Sequence, residues 1–216
     1  RRYHTLQQHI QNLAELLKRL NLRPMTLIME DWGGPFGLSY AIQQPDHIRR
    51  LVISNTWAFQ DSYAHRLERL VKWTTRPGIA ELLFGTLNLT LNVVLQRWTA
   101  RQLSETVLSA YKIPFRETRQ RAALVQFPRM VNITPEHPSA ATMRAIESGL
   151  ASLRDIPALI LWGKEDPIFP PDVAAHWKTM LPRAAGPHLI ESARHLLTED
   201  APDAMIEHLN AFFERS

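Results

Sequence analysis

Apolar residues recur at helical spacing near the start of the chain. Leu6, Ile10, Leu13, Leu16, Leu17 and Leu20 share one face, so the pattern predicts an amphipathic helix that Asn21 and Pro24 end. The period then changes. Residues 25–29 form a short apolar run with the pattern of a buried parallel strand. Residues 35–43, with Phe36, Leu38, Tyr40, Ala41 and Ile42, predict a helix that Pro45-Asp46 closes. A second strand covers 47–54 around Leu51-Val52-Ile53. Strand signals then vanish until 156. Helical segments are predicted at 63–74, 79–87, 89–97, 104–111, 116–126 and 140–151, punctuated by Pro77, Pro114, Pro128, Pro135 and Pro138. The stretch 85–95 is unusually apolar, as expected of a surface that meets another layer. A third buried strand follows at 158–162, then a helix at 170–181, a short last strand at 188–190 and a closing helix at 202–213. Strands that alternate with helices predict an α/β fold with a parallel sheet. On this pattern residues 1–60 and 157–216 build the main domain, and 61–156 are a helical cap inserted between two of its strands.

The chemistry gathers where predicted strands end. At 25–40 a strand runs into Glu30-Asp31-Trp32-Gly33-Gly34 and then a helix. A sharp strand-to-helix turn with a nucleophile at its tip and small residues after it is a nucleophile elbow, in which helix N–H groups face the exposed side chain. Asp31 fits that place. It equally fits a residue that only caps the helix. Asp166 follows the third strand and His195 the fourth, giving the chain order Asp, Asp, His. Among nine histidines, His195 is singled out by that placement, whereas His4, His9, His47, His65 and His208 suit the surface. Trp57 and Phe59, past the second strand, either line a pocket or pack the root of the insertion.

Composition narrows the classes. With 216 residues, 45% hydrophobic and 21% charged, the chain can bury a sizeable core. The net charge of +4 is scattered over solvated helix faces, with no interleaving of aromatic and basic residues, so no nucleic-acid partner is expected. The chain has no cysteine, hence no disulfide or thiolate metal site. No acidic pair has histidines at metal spacing, and no dinucleotide fingerprint occurs, so neither metal nor cofactor is expected. No run is long enough to span a membrane and no signal peptide is seen, so a cytoplasmic, membrane-free protein is expected.

The stretches D-W-G-G-P at 31–35, R-R-L-V-I-S-N-T-W-A at 49–58, W-G-K-E-D-P-I-F at 162–169 and A-R-H-L-L-T-E-D-A-P at 193–202 resemble the haloalkane dehalogenase branch of the α/β-hydrolases. The resemblance covers most of the chain. It implies an α/β-hydrolase fold with about four of its strands present and about as many, expected before residue 1, missing. It further implies a catalytic triad of Asp31 as nucleophile, His195 as base and Asp166 as its partner. Trp32 would be a halide-binding residue through its indole N–H, or else a packed aromatic. A halogenated alkane would be the substrate and halide a product. In the family a segment upstream of the nucleophile supplies an oxyanion N–H and often a halide-binding Asn. No such segment precedes Asp31 here, so reduced activity is expected of this chain, and the second halide donor is either that upstream Asn or a tryptophan of the insertion, Trp73 or Trp98. The family's small residue before the histidine is Arg194 here. Two other readings remain: an epoxide hydrolase, which would need hydroxyls such as those of Tyr63 and Tyr111, and an inactive hydrolase fragment. The first predicted strand would be a flat apolar edge, which favours a homo-oligomer.

Overall fold

The computed structural model describes residues 4–59, 71–72 and 76–215. Helix α1 spans Leu6–Leu20. The Thr5 hydroxyl caps it by accepting the Gln8 N–H, and Asn21, in the left-handed region at φ 50°, closes it. Only Leu6 and Ile10 of its apolar face are fully buried, while Leu16 and Leu20 are more than half exposed.

The sheet has four strands in the order β1-β2-β3-β4, all parallel. They are β1 (Met25–Glu30), β2 (Ile48–Ser54), β3 (Ala158–Gly163) and β4 (Ala185–Ile190). Leu27 pairs with Leu51, Val52 with Leu159, and Leu161 with His188. The two inner strands read as continuous apolar runs because both of their faces are covered. Strand β1 departs from the buried strand its composition predicts. As an outer strand among the described residues it buries Met29 and exposes half of Ile28. Strand β4 begins three residues earlier than its apolar residues predict, because its pairing with β3 carries through Gly186 and Pro187 with a shifted register.

Between β2 and β3 the described residues form helices and turns and no strand. The run predicted as two helices over 79–97 is wound as π-helix at Glu81–Thr86 and Thr90–Val94. Asn88, at φ 51°, breaks it and leaves Leu87 half exposed. The predicted helix at 63–74, with Tyr63 and Trp73, lies outside the described residues apart from 71 and 72, as does His65. Two small apolar clusters hold this layer together, around Phe84 and Val125 and around Leu91, Leu95 and Leu103. Met130 and the 140–153 segment behave differently. Met143, Ile146, Leu150 and Leu153 join Leu38, Leu51, Ile160 and Trp177 in the core beside the sheet. No helix among the described residues is long and apolar enough to cross a membrane.

Candidate active site

The main-chain turn after β1 brings Asp31 to the surface of a cavity. Helix α2 (Gly33–Gln43) starts two residues later, so the turn is too short for ordinary backbone angles. Asp31 sits at φ 47°, an uncommon conformation for a residue with a side chain, and one that concentrates where function holds it in place. Three contacts hold it: the Asp31 N–H donates to Asn55 O at 3.1 Å, and Asp31 O accepts from the Gly34 N–H at 3.0 Å and from the Thr56 hydroxyl. Gly34 is required for this packing, since a Cβ there would lie 2.0 Å from Thr56 Oγ1.

His195 is fully buried and stands between two carboxylates. Its Nδ1 is 3.0 Å from Asp166 Oδ2, and its Nε2 is 3.7 Å from Asp31 Oδ1. Nε2 has no hydrogen-bond partner among the described residues. Asp166 is itself fixed, because its Oδ1 accepts the N–H groups of Ile168 (2.7 Å) and Phe169 (3.1 Å). The three residues at the ends of β1, β3 and β4 thus meet at one edge of the sheet, where α/β sheets present their ligand sites. Asn55, which composition did not single out, ties the group together. Its amide donates to Asp166 Oδ2 at 2.9 Å and to Arg194 O at 2.8 Å, and its carbonyl accepts the Gly163 N–H at 2.9 Å. The only local signal for it is an Asn at a strand end, a residue that tolerates the φ of 40° found there.

The loop carrying His195 is held from several sides. Arg194 fits there because its main chain makes the anchors: its N–H donates to Asp200 Oδ2 at 2.8 Å and its carbonyl accepts from Asn55. Asp200 also accepts the Ala100 N–H at 2.8 and 2.9 Å, and Leu196 N–H donates to Trp98 O at 3.2 Å. The inserted helical layer is therefore fastened directly to the His195 loop. Glu30 reaches the same loop from β1, its Oε1 accepting the Leu197 N–H at 3.0 Å.

The cavity in front of Asp31 has a volume of about 1100 Å³. Its walls are mostly apolar, with Trp57, Phe84, Val94, Phe127 and Phe169 among them. Trp32 is both packed and on the wall. It is nearly buried, edge-on to Trp57 (4.8 Å between centroids) and to Phe127, yet its indole N–H donates to no group among the described residues. Trp98 also lines the cavity, its ring 5.1 Å from that of His195 and edge-on to it. Trp73 lies outside the described residues. His4 and His9, expected on the surface, are instead half-buried: His9 stacks on Phe36 and packs on Phe127, and burial lowers its pKa.

Charge in the site is strongly coupled. Burial works against a charged His195, but the Asp166 hydrogen bond and the charges of Asp166, Asp31 and Glu30 outweigh it and raise the imidazole to about 9. Burial raises Asp31, with His195 and the Trp32 backbone N–H pulling the other way. Burial likewise pushes Glu30 up to about 7. Near neutral pH the His195 ring is therefore held as imidazolium, with the carboxyl groups of Asp166, Asp31 and Glu30 acting on it. All three groups bind protons more tightly in the folded chain than in the unfolded one, so stability falls as pH rises. The His195 contribution is complete below about 6.5 and is lost as pH passes through about 9. That leg is worth about 3 kcal/mol. Thermal melts should show a falling midpoint between pH 6.5 and 9, and a His195→Phe protein, left only with the Asp31 and Glu30 contributions, should show a shallower decline toward pH 9. A midpoint that rises over this range would contradict the charge assignment.

These observations define an α/β protein with a strand-to-helix elbow and a buried His–Asp pair at the carboxyl ends of its strands. The α/β hydrolase fold family model matches residues 1–202, and the chain belongs to that family. A Shewanella oneidensis protein named cis-3-alkyl-4-alkyloxetan-2-one decarboxylase is 30% identical over 212 residues, covering 97% of this chain and 66% of that protein. Its Xanthomonas campestris counterpart is 28% identical over 99% of this chain and 71% of its own length. A haloalkane dehalogenase of Mycolicibacterium paratuberculosis is 28% identical over 95% of this chain and 66% of its own length. The chain thus spans about two thirds of the length of these relatives. In fold it is similar to the haloalkane dehalogenase DatA of Agrobacterium tumefaciens C58, with a TM-score of 0.86 at 21% identity over 98% of this chain and 74% of that one. This member of the α/β-hydrolase family is thus similar both to haloalkane dehalogenases and to oxetan-2-one decarboxylases.

Proposed function

We propose that Asp31 is a carboxylate nucleophile that displaces a leaving group from an sp³ carbon of an apolar substrate, with haloalkanes as the substrate class. The observation that carries this reading is the Asp31 side chain at a strained elbow, facing a large apolar cavity beside an indole N–H that has no partner among the described residues. Asp31 Oδ attacks the carbon, the carbon–halogen bond breaks with its electron pair on halide, and an alkyl ester of Asp31 forms. Halide in an apolar pocket needs donors, and the N–H of Trp32 is one, with that of Trp98 the candidate for a second. Esterification removes the negative charge that faces Nε2. The imidazolium then loses a main stabiliser, its pKa falls, and the neutral ring becomes available as a base. His195 Nε2 takes a proton from water, the hydroxide oxygen adds to the ester carbonyl, and the alcohol leaves as Asp31 is restored. Asp166 holds the ring and its charge throughout.

Residues 61–156 act in this reading as the cap over the strand ends, and the Asp200 and Trp98 contacts fasten it. The epoxide-hydrolase reading draws less support, since the Tyr111 hydroxyl donates to Glu199 at 2.7 Å and Tyr111 is not on the cavity wall.

A second reading is favoured by the two oxetan-2-one decarboxylases among the relatives. The same attack at C4 of a 3,4-dialkyl-oxetan-2-one would break the C4–O bond and free a carboxylate. Loss of CO₂ from C3 would then form the C3=C4 double bond and expel Asp31, with no water consumed. Halide release from 1-bromo- or 1-chloroalkanes, assayed beside alkene and CO₂ release from a cis-dialkyl oxetanone, separates the two. Halide release is the expected result, and Trp32→Phe should reduce it by about 10²-fold through loss of a leaving-group donor. Alkene without halide would establish the second reading, and neither product would remove both.

A further inference from the structure

The mechanism above makes no use of Glu30, a carboxylate at the last position of β1, directly before the nucleophile. It is drawn away from bulk solvent, and its Oε1 accepts the N–H of Leu197, a fully buried residue two positions beyond His195. Charged and titratable groups from several elements act on it through space. They are Asp31 on the elbow, Asp166 after β3, His195 on its loop, and Tyr111 from the inserted layer, which is itself bonded to Glu199. A loop anchor alone would need only an acceptor there, such as an amide. A third carboxylate beside two others costs electrostatic energy unless the cation between them needs it.

We propose that Glu30 is a positioning residue for the second half of the reaction, holding the His195 turn through Leu197 and supplying negative charge to the imidazolium when Asp31 is esterified. In the resting site the carboxyl groups of Asp31, Asp166 and Glu30 all act on the His195 ring. Once Asp31 carries the alkyl group, only Asp166 and Glu30 remain to stabilise the proton that His195 takes from water. Glu30 thereby sets how basic the ring is at that step, and it does so without touching the substrate. This rests on the reading of Asp31 as nucleophile, but the coupling between Glu30 and His195 exists without turnover.

The test is an NMR titration of the His195 ring in the wild-type, Glu30→Gln and Glu30→Asp proteins. The Gln variant keeps the acceptor for Leu197 and loses only the charge. Its His195 midpoint should fall by about one unit, while Glu30→Asp should keep the wild-type midpoint. In rapid-quench experiments with a 1-bromoalkane, the acid limb of ester hydrolysis should move down with that midpoint in Glu30→Gln, and alkylation should stay within about twofold of the wild-type rate. An unchanged His195 midpoint in Glu30→Gln overturns the proposal. So does a variant that slows alkylation and hydrolysis equally, which would make Glu30 a latch and nothing more. The titration decides the coupling even if no haloalkane is turned over, so failure of the substrate reading and failure of this one are told apart.

Discussion

A His195→Phe protein given a 1-bromoalkane should gain the mass of one alkyl group, carried on the peptide that holds Asp31. The two half-reactions draw on different groups. Displacement needs only the Asp31 carboxylate, an apolar site and donors for halide. Hydrolysis of the ester needs a base, and Nε2 of His195 is the ring nitrogen that faces Asp31, with no hydrogen-bond partner among the described residues. Removing the ring therefore blocks the second step and leaves the first possible. Steady-state halide release should fall by on the order of 10⁴-fold or more, while intact-protein mass spectrometry shows the trapped adduct. An Asp31→Asn protein should take up no alkyl group at all. An adduct that maps to Glu30 or Asp166, or a His195→Phe protein with normal turnover, would show that Asp31 is not the nucleophile. For an oxetanone the outcome differs, because elimination restores Asp31 without a base. His195→Phe would then keep turning over the lactone, which makes the same variant a probe of the substrate class.

Gly163→Ala should be among the most destabilising single-methyl additions in the chain, at about 3 kcal/mol. A Cβ there would lie 2.0 Å from Arg194 O and 2.8 Å from Ala193 O. Those are backbone atoms and cannot rotate away. They are also tethered, Arg194 O by the Asn55 amide and Ala193 O by the Glu165 N–H at 2.9 Å. Relief requires the His195 loop to move off the end of β3, which would pull Nδ1 from Asp166. For a chain of this size the melting midpoint should fall by roughly 6–12 °C, and activity should fall with it. Gly33→Ala is the matched control. The nearest atom to a Cβ there is Met29 Cβ at 4.0 Å, so stability should change little. A Gly163→Ala protein that melts with the wild type would mean that the β3 end and the His195 loop are less closely packed than described.

What the chain reveals before folding and what it conceals divide along the range of the interactions. Helix α1 and its Asn21 stop, the inner strands β2 and β3, and the strand–turn–helix around Asp31 are set by residues close in sequence. Periodicity, β-branched runs and turn residues therefore disclosed them. The placement of Asp31, Asp166 and His195 after β1, β3 and β4 was legible for the same reason, because a parallel sheet lines up its strand ends on one edge. Trp32 was legible as a neighbour of Asp31, but not as a wall shared with Trp57 and Phe127. The exposed half of β1 and the early start of β4 depend on which strand lies alongside, and no window of sequence contains that. The π-helical winding around Asn88, and the burial of His9 against Phe36 and Phe127, likewise follow from packing between separate segments. The bridge made by Asn55 spans 111 residues to Asp166, and the Glu30 carboxylate reaches 167 residues ahead to Leu197. By itself the sequence determined the elements and the order of the reactive residues, since local backbone preference and hydrophobic period act within a few residues. Only the tertiary structure decided the protonation of the site and the hold on its histidine, because charge coupling and hydrogen bonds act through space between groups the chain keeps far apart.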